Sequence, residues 1–171
     1  MPSLMAPDSI RDLLLYRLAR FLRVAGAPVV RICEGQFGIT RREWGLLAAL
    51  SAHDGLLSSQ VAELVRLDRA RTSRTLTSLA TKGLVERRRE PGDGRRVAIH
   101  LTEAGRALHA QMFPRVCDIN QQLLSVLDAE QLRVFETGLE RLQAQADALG
   151  DQARLPKADR RRGGRGPRGW T

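Results

Sequence analysis

Residues 68–83 read DRARTSRTLTSLATKG, and this stretch decides the fold. Asp68 is a typical helix N-cap, and Gly83 suits the left-handed position that follows a helix, so the pattern predicts a helix over residues 69–82. Apolar and small hydroxyl residues recur in it at positions i, i+3, i+4 and i+7, which indicates one buried face. That face consists of Thr72, Thr75, Leu76 and Leu79.

The opposite face of this helix carries arginines and short hydroxyls with no acid among them. A solvated helix face usually mixes Glu with Lys, because opposite charges at i and i+4 pair. The missing acids favour acceptors supplied from outside, such as DNA phosphates and the edges of guanine bases. The candidate DNA-binding residues at the start of this helix are Arg69, Ala70, Arg71, Ser73 and Arg74.

Two further helices precede this one. Thr40 and Glu43 form a capping box that opens a helix with Trp44 inward, and residues 51–55 end that helix. Ser58 is the expected N-cap of a short, mostly buried second helix. A helix, a short helix, a brief connection, a polar helix and a hairpin follow one another in a winged helix-turn-helix. In that motif the polar helix lies in the DNA major groove.

A charged hairpin follows the polar helix. Residues 84–89 and 96–101 read as two strands, and the Pro-Gly-Asp-Gly turn at 91–94 joins them. Basic groups at such a tip suit the minor groove, where narrow A·T tracts concentrate negative potential, and an acid beside an arginine can fix its direction. The candidate residues at the tip are Asp93, Arg95 and Arg96.

Long apolar helices flank this DNA-binding lobe, which we assign to residues 40–102. The periodicity predicts one helix from residue 8 to about 27, ended by Pro28 or followed there by a turn, and two more over 103–127 and 128–149. These helices carry more leucine than the lobe can cover, so a partner must bury the surplus. We therefore expect a mainly α protein whose residues 8–30 and 103–149 form a helical dimerisation region.

Taken together, these motifs resemble the multiple-antibiotic-resistance regulator (MarR) family of transcription factors. The resemblance is carried by LDRARTSR at 67–74, LATKGLVER at 79–87, DGR at 93–95 and LTEAG at 101–105. The family's wing signature is Asp-x-Arg followed by a strand that ends in Leu-Thr and a Gly, and each of these positions is matched. The resemblance covers roughly residues 10–149.

The resemblance implies an obligate homodimer on a pseudo-palindromic DNA operator, with a small-molecule pocket between the dimer helices and the lobe. By analogy, the candidate ligand-binding residues are Arg17, Arg20, Trp44 and His53. An arginine among apolar walls suits a carboxylate, and aromatic acids are common effectors in this family. Simpler interpretations stay open: Trp44 in the core, both arginines solvated or paired across the dimer, and His53 in a turn.

The net charge of +9 is unevenly spread. Residues 66–96 hold ten Arg or Lys against four acids, and residues 151–171 hold seven against two. The first segment has the focused charge that a polyanion-binding surface needs. The second is rich in Arg, Gly and Pro and is predicted to be a disordered basic tail. That tail either contacts flanking phosphates or is a dispensable extension.

The sequence offers little support for other functional classes, such as membrane proteins and enzymes. No apolar run approaches the roughly 18 residues that span a bilayer, and no signal-like start is present, so we expect a cytoplasmic protein without a membrane partner. The three histidines, His53, His100 and His109, are scattered, and no nucleophile, phosphate-loop or metal-ligand motif appears. We therefore expect no enzyme activity, no cofactor and no metal.

The sequence thus predicts a homodimeric, sequence-specific transcription regulator, a repressor released from its operator by a small ligand such as an aromatic carboxylate. One alternative is a redox-sensing regulator, because some family members sense oxidants through a cysteine in the first helix. Here Cys33 is expected just after that helix and Cys117 on a dimer helix, and both read most simply as reduced thiols. The other alternative is a non-specific architectural DNA-binding protein whose main contact is the arginine tail.

Overall fold

The computed structural model describes the backbone of residues 4–90 and 93–152, and the side chains of residues 4–89 and 97–150. The chain divides into two compact units, residues 1–125 and 126–171, which are described separately below. The order of elements in the first unit is that of a winged helix-turn-helix with additional helices before and after it.

The N-terminal segment contains two helices where the sequence predicted one. A 3-10 turn at Ile10–Asp12 leads into α1 (Leu14–Ala25), and α2 (Ala27–Gln36) begins immediately after Gly26. The expectation that Pro28 ends the helical pattern or starts a turn was wrong. Pro28 lies in the first turn of α2, where its missing N–H leaves no intrahelical bond unmade.

Helix α3 (Arg41–Ala52) begins at the predicted capping box. The Thr40 hydroxyl accepts from the Glu43 N–H at 3.1 Å, and the Glu43 carboxylate accepts from the Thr40 N–H at 2.6 Å. A two-residue strand, β1 (Leu56–Leu57), which the sequence did not predict, then leads into α4 (Ser58–Leu64). Ser58 is the first helical residue rather than the N-cap, and the Gln60 side chain instead accepts from the Leu57 N–H.

Helix α5 (Arg69–Thr81) matches its prediction closely. The Asp68 carboxylate accepts from the Arg71 N–H at 2.8 Å and so caps the helix start. Gly83 follows the helix end with φ +68°, in the left-handed region that glycine adopts without a Cβ clash. The face predicted to be inward is buried, and it consists of Thr72, Thr75, Leu76 and Leu79.

The wing is a three-stranded antiparallel sheet rather than a two-stranded hairpin. Strands β2 (Val85–Glu90) and β3 (Asp93–Leu101) pair with each other, and β1 pairs with the other edge of β3. Arg87 stands opposite Ile99, and the register shifts after Arg89. The central strand is β3, so the wing is anchored to the turn between α3 and α4.

Helix α6 (Glu103–Leu124) is capped by Thr102 and continues through Pro114. Its first turn packs tightly under the wing, because a Cβ on Gly105 would stand 2.0 Å from the Leu84 carbonyl oxygen. Farther along, the Arg115 guanidinium donates to the Gln36 side chain and lies over the Phe37 ring. Helix α6 therefore joins the wing to the end of α2.

The core of the first unit lies between α2, α3, α5, α6 and the sheet. Its largest fully buried side chains are aliphatic, and aromatic side chains contribute little to it. The fully buried side chains include Ile39, Leu46, Leu47, Leu50, Leu76, Leu79, Ile99 and Met112. In the described part of the chain, no helix combines the length and the apolar character that a bilayer crossing demands.

The second unit contains α7 (Ala129–Gln152), which runs slightly past the predicted end at residue 149. Asp128 caps it as predicted: its carboxylate accepts from the Gln131 N–H at 2.8 Å, and the Gln131 side chain accepts from the Asp128 N–H at 3.0 Å. Among its described side chains, up to residue 150, none is buried. Helix α7 therefore leaves an apolar stripe exposed, which includes Phe135, Leu139 and Leu142.

Candidate nucleic-acid interface

The candidate DNA-binding residues of α5 all lie on its exposed side. Arg69, Ala70, Arg71, Ser73 and Arg74 are exposed, while the opposite face of the helix fills the core. The geometry therefore places these five residues together on one surface.

The arginines of this face are braced from nearby, which the sequence interpretation missed. Arg71 Nε lies 3.1 Å from the Asp68 carboxylate, and Arg69 Nη2 lies 4.0 Å from that of Glu63. Arg74 Nε donates to the Ala70 carbonyl at 3.3 Å. The helix face itself lacks acids, but the residues just before it supply two. These exposed pairs add little stability and mainly orient the side chains.

Threonine hydroxyls on α5 are used within the helix. The hydroxyls of Thr75, Thr77 and Thr81 each donate to the carbonyl four residues earlier, at 3.0 Å. Arg87 Nη2 of strand β2 in turn donates to Thr77 Oγ1 at 3.3 Å. The wing and α5 are thus linked by a side-chain hydrogen bond on the exposed surface.

A buried carboxylate, Glu43, anchors α5 to the start of α3. Glu43 is only 3% exposed, and its Oε1 accepts from the Ser78 hydroxyl at 2.7 Å. Its Oε2 accepts from Lys82 Nζ at 2.9 Å, and Lys82 also donates to the Gly38 carbonyl. The sequence identified Glu43 only as part of a capping box. No local signal points to its partners, Ser78 on α5 and Lys82 just after it, which lie 35 and 39 residues away.

The environment of Glu43 keeps it ionised. Burial alone raises the pKa of this carboxyl, but hydrogen bonds from Lys82, the Thr40 N–H and Ser78, together with the Lys82 charge, outweigh burial and lower the pKa below its ordinary value. The charged pair therefore holds α3 and α5 together at neutral pH.

The structure describes the wing tip only in part. Asp93, Arg95 and Arg96 belong to β3, but their side chains lie outside the described side chains. The expected bracing of Arg95 by Asp93 therefore stays a prediction. In β2, the described side chains of Arg87, Arg88 and Arg89 are exposed. Arg87 and Arg89 share the strand face that contacts Thr77 of α5, whereas Arg88 lies on the other face and pairs with Glu86.

The base of the wing explains the Leu-Thr and Gly positions of the motif. The Thr102 hydroxyl donates to the Gly83 carbonyl at 2.7 Å and accepts from the Gly105 N–H at 3.0 Å. The Thr102 N–H donates to the Leu84 carbonyl, the same carbonyl that lies against Gly105. One threonine thus joins the end of α5, strand β2 and the start of α6.

A carboxylate at the turn after α3 secures the end of the central strand, β3. Asp54 lies 3.2 Å from His100 Nδ1 and accepts from the Leu101 N–H at 3.3 Å. Burial acts to raise the pKa of Asp54, but the hydrogen bonds from His100 and Leu101 lower it overall. His100, which the sequence left without a role, therefore fastens β3 to the turn.

The candidate ligand residues fall in three separate places. Arg17 and Arg20 are exposed on α1 and line an open groove of about 500 Å³ together with Leu14, Leu18 and Phe21. Trp44 is 8% exposed in the core, and His53 is exposed at the end of α3. Within this chain the structure brings Arg17 and Arg20 together and leaves Trp44 and His53 apart from them.

Trp44 instead belongs to an aromatic stack that the sequence did not reveal. The His109 ring of α6 lies between Trp44, at 5.2 Å between ring centroids, and Phe113, at 5.4 Å. His109 Nε2 lies 3.0 Å from the Ser51 hydroxyl. Burial lowers the pKa of His109, so the ring is neutral at physiological pH.

The two cysteines differ in exposure. Cys33 lies after the first helix, as predicted, but within the second helix, α2, and it is 0% exposed. Burial raises the pKa of its thiol and so disfavours the reactive thiolate. Cys117 is half-buried on α6.

Helix α5 is buried on one face and carries exposed arginines on the other, and it lies between a turn and a three-stranded wing. This arrangement defines a winged helix-turn-helix DNA-binding protein. Comparison with known proteins gives the family. A model described as MarR family matches residues 37–96. The chain is also 31% identical, over 138 residues, to an HTH-type transcriptional repressor of Mycobacterium tuberculosis, covering 81% of this chain and 96% of the relative. The chain belongs to the MarR family of transcription regulators.

Solved structures agree with this assignment. The PcaV transcriptional regulator from Streptomyces coelicolor, in complex with its natural ligand, is 29% identical with a TM-score of 0.68, covering 82% of this chain and 99% of that one. MepR of S. aureus in complex with DNA is 25% identical with a TM-score of 0.71, covering 81% and 99%. The protein is a DNA-binding transcription regulator.

Proposed function

We propose that this regulator is a homodimeric repressor that reads a pseudo-palindromic operator with two copies of α5. The observation that carries the proposal is the exposed start of α5, where Arg69, Arg71 and Arg74 face outward from a helix that is capped, braced and buried on its other side. Arginine suits the O6 and N7 acceptors of guanine in the major groove, and the Ser73 hydroxyl can bond bases or phosphates.

The wing completes the proposed DNA-binding surface. We assign minor-groove contacts to Arg95 and Arg96, with Asp93 orienting Arg95. The hydrogen bond between Arg87 and Thr77 supports this assignment, because it ties strand β2 to the helix that enters the major groove. Helix and wing would then approach the duplex as one unit.

The dimer is supported by the apolar side chains that the outer helices leave exposed. None of the described residues of α1 is buried, and Leu15 is 79% exposed. Helix α7 similarly exposes Phe135 and Leu142. A second copy of the chain would cover these surfaces and place the two α5 helices about 34 Å apart, one turn of DNA. Light scattering should then give about twice the 19.0 kDa chain mass.

Ligand control is proposed at the groove on α1. Its apolar walls and the two guanidinium groups of Arg17 and Arg20 suit an aromatic carboxylate, which an arginine can hold bidentately. The solved relative PcaV is in complex with its natural ligand. A ligand that favours a dimer with the wrong spacing of α5 helices lowers operator affinity by its differential binding, typically about 1–3 kcal/mol.

Selection from random duplex DNA with the full chain tests the proposed function. We expect a two-fold symmetric sequence with half-sites about 10 base pairs apart, and release of that DNA by small aromatic acids that also raise the melting temperature. Failure to enrich any sequence would contradict the proposal.

The architectural alternative rests on the basic tail, residues 151–171, of which residues 153–171 lie outside the described residues. Deleting it should leave the sequence preference intact and lower the affinities for the operator and for unrelated DNA by a similar factor. Loss of all DNA binding in that variant would instead support the architectural role. The redox alternative gains no support from Cys33, whose burial and raised pKa oppose oxidation.

A further inference from the structure

An open cleft lies beside α5. It lies between the first turn of α3 and the exposed face of α5, and its volume is about 470 Å³. Arg42 and Thr40 line it from the α3 side, and Arg71, Arg74 and Ser78 line it from α5. The sequence interpretation did not single out Arg42.

The cleft is positively charged despite an acid in its lining. The carboxylate of Glu43 is occupied by hydrogen bonds from Lys82, Ser78 and the Thr40 N–H. Lys82 neutralises Glu43, and Asp68 pairs with Arg71. An anion entering the cleft therefore meets the charges of Arg42 and Arg74 in excess.

The direction of α3 adds to this potential. Helix α3 is twelve residues long and begins at the cleft, so the positive end of its dipole lies there. Backbone and side-chain charges thus favour the same kind of ligand. A group with one negative charge and several oxygens fits best, because guanidinium groups bind phosphate oxygens in pairs.

We propose that this cleft seats one phosphodiester of the DNA backbone, held by Arg42, with the charge of Arg74 adding to the attraction. This inference rests on the proposed function, which places the outward face of α5 in the major groove. Since Arg71 and Arg74 belong both to that face and to the cleft, the cleft opens beside the groove, where the backbone phosphates run. Arg42 fixes the position of α5 on the duplex and carries no base information.

Replacing Arg42 by Ala tests the assignment. We expect about tenfold weaker binding to the selected operator and to unrelated duplex DNA alike, since a charge-assisted hydrogen bond is lost. The slope of log affinity against log salt should fall by about 0.9 for each protomer. The base preference of the selected sequence should not change.

Arg41→Ala is the matched control. Arg41 is also exposed, but its guanidinium lies beside Gly26, at the junction of α1 and α2, and does not line the cleft. We expect Arg41→Ala to keep the wild-type salt slope. An equal loss in both variants would mean that general charge, rather than a seated phosphate, explains the effect, and would overturn the proposal.

Neutral methylphosphonate links, placed one at a time in the operator, locate the phosphate. One symmetric pair of links should weaken wild-type binding about tenfold and leave Arg42→Ala binding unaffected. Equal sensitivity of both proteins at every link would overturn the assignment. So would a changed base preference in Arg42→Ala, because that residue would then read bases.

A titration with inorganic phosphate distinguishes a DNA backbone phosphate from a free anion as the ligand of the cleft. At fixed ionic strength, phosphate should neither raise the melting temperature more in the wild type than in Arg42→Ala nor compete specifically with DNA. Specific stabilisation would assign the cleft to a free phosphate and overturn the backbone role. If Arg42→Ala binds like the wild type while Arg74→Ala is impaired, the cleft proposal fails and the proposed function stands. A wild type that binds no duplex DNA would overturn both.

Discussion

Helices α1 and α5 have nearly the same length, 12 and 13 residues, yet their exposed faces are opposites. Helix α5 buries one face completely within its own chain and shows arginines and hydroxyls outside. None of the described residues of α1 is buried, and large apolar side chains such as Leu15 and Val24 are exposed. The exposed polar face of α5 needs no protein partner and suits a polyanion. The exposed apolar face of α1 instead suits a second apolar surface.

The largest effect is expected where α1 would meet its partner. Leu15→Glu should break the dimer and weaken operator binding by about a hundredfold or more, because two linked half-sites gain that much over one. Sedimentation and fluorescence anisotropy measure the two effects. Leu64→Glu is the control, since Leu64 is also exposed but belongs to α4. If the Leu15→Glu protein were still a dimer, α1 would not be part of the dimer interface.

Unlike α1, α5 belongs to a lobe that is held together by contacts within one chain, and Gly105 on α6 makes one of these contacts. Gly105→Ala should destabilise the protein by about 3 kcal/mol, because the added methyl meets a backbone carbonyl at 2.0 Å and not a flexible side chain. Gly138→Ala on α7 is the control, since the described structure leaves open space around Gly138; it should stabilise by up to about 1 kcal/mol. Chemical denaturation measures both, and equal stability of Gly105→Ala and wild type would refute the tight contact.

Glu43→Gln should reduce stability by about 1–3 kcal/mol at pH 7, because the buried charge-assisted bonds to Lys82 and Ser78 weaken. The pKa of Glu43 is lowered in the folded state. Its contribution to the free energy of unfolding is therefore fully present above the ordinary Glu pKa and is lost as pH falls through the folded pKa. The stability difference between wild type and variant should therefore shrink on acidification from pH 5 to 3. A constant difference across this range would contradict the ionised pair.

The smallest effect is expected inside the buried face of α5. Among the described buried side chains, the Thr72 hydroxyl lacks a hydrogen-bond partner. Thr72→Val removes that unsatisfied group at equal size and should stabilise by about 1 kcal/mol. Thr75→Val, which loses a bond to the Arg71 carbonyl, should not stabilise. Thermal unfolding distinguishes them, and a destabilised Thr72→Val would point to a role for that hydroxyl.

The same two helices show how far the sequence reaches. The cap at Asp68, the buried stripe of α5 and the left-handed Gly83 are local features, and each was predicted and confirmed. The separation of α1 from α2 was missed, because Pro28 is equally compatible with a helix end and with a first helical turn. Strand β1 was missed because two residues carry no period, and its pairing with β3 depends on distant residues.

The candidate site divides in the same way. The outward arginines of α5 could be predicted, because their placement follows from helical periodicity alone. The Glu43 bonds to α5 and the stacking of His109 on Trp44 could not, because both join residues far apart in sequence. Of the four ligand candidates taken from family analogy, Arg17 and Arg20, one helical turn apart, line one groove, and Trp44 and His53 lie elsewhere in the chain.

Arg74→Ala tests the central claim, that the outward face of α5 reads DNA, most directly. Operator affinity should fall by about 1–3 kcal/mol, and base preference should relax at one symmetric pair of positions, with dimer mass and melting temperature unchanged. Unaltered affinity and unaltered preference, measured by anisotropy over a panel of single-base operator variants, would show that the reading surface lies elsewhere.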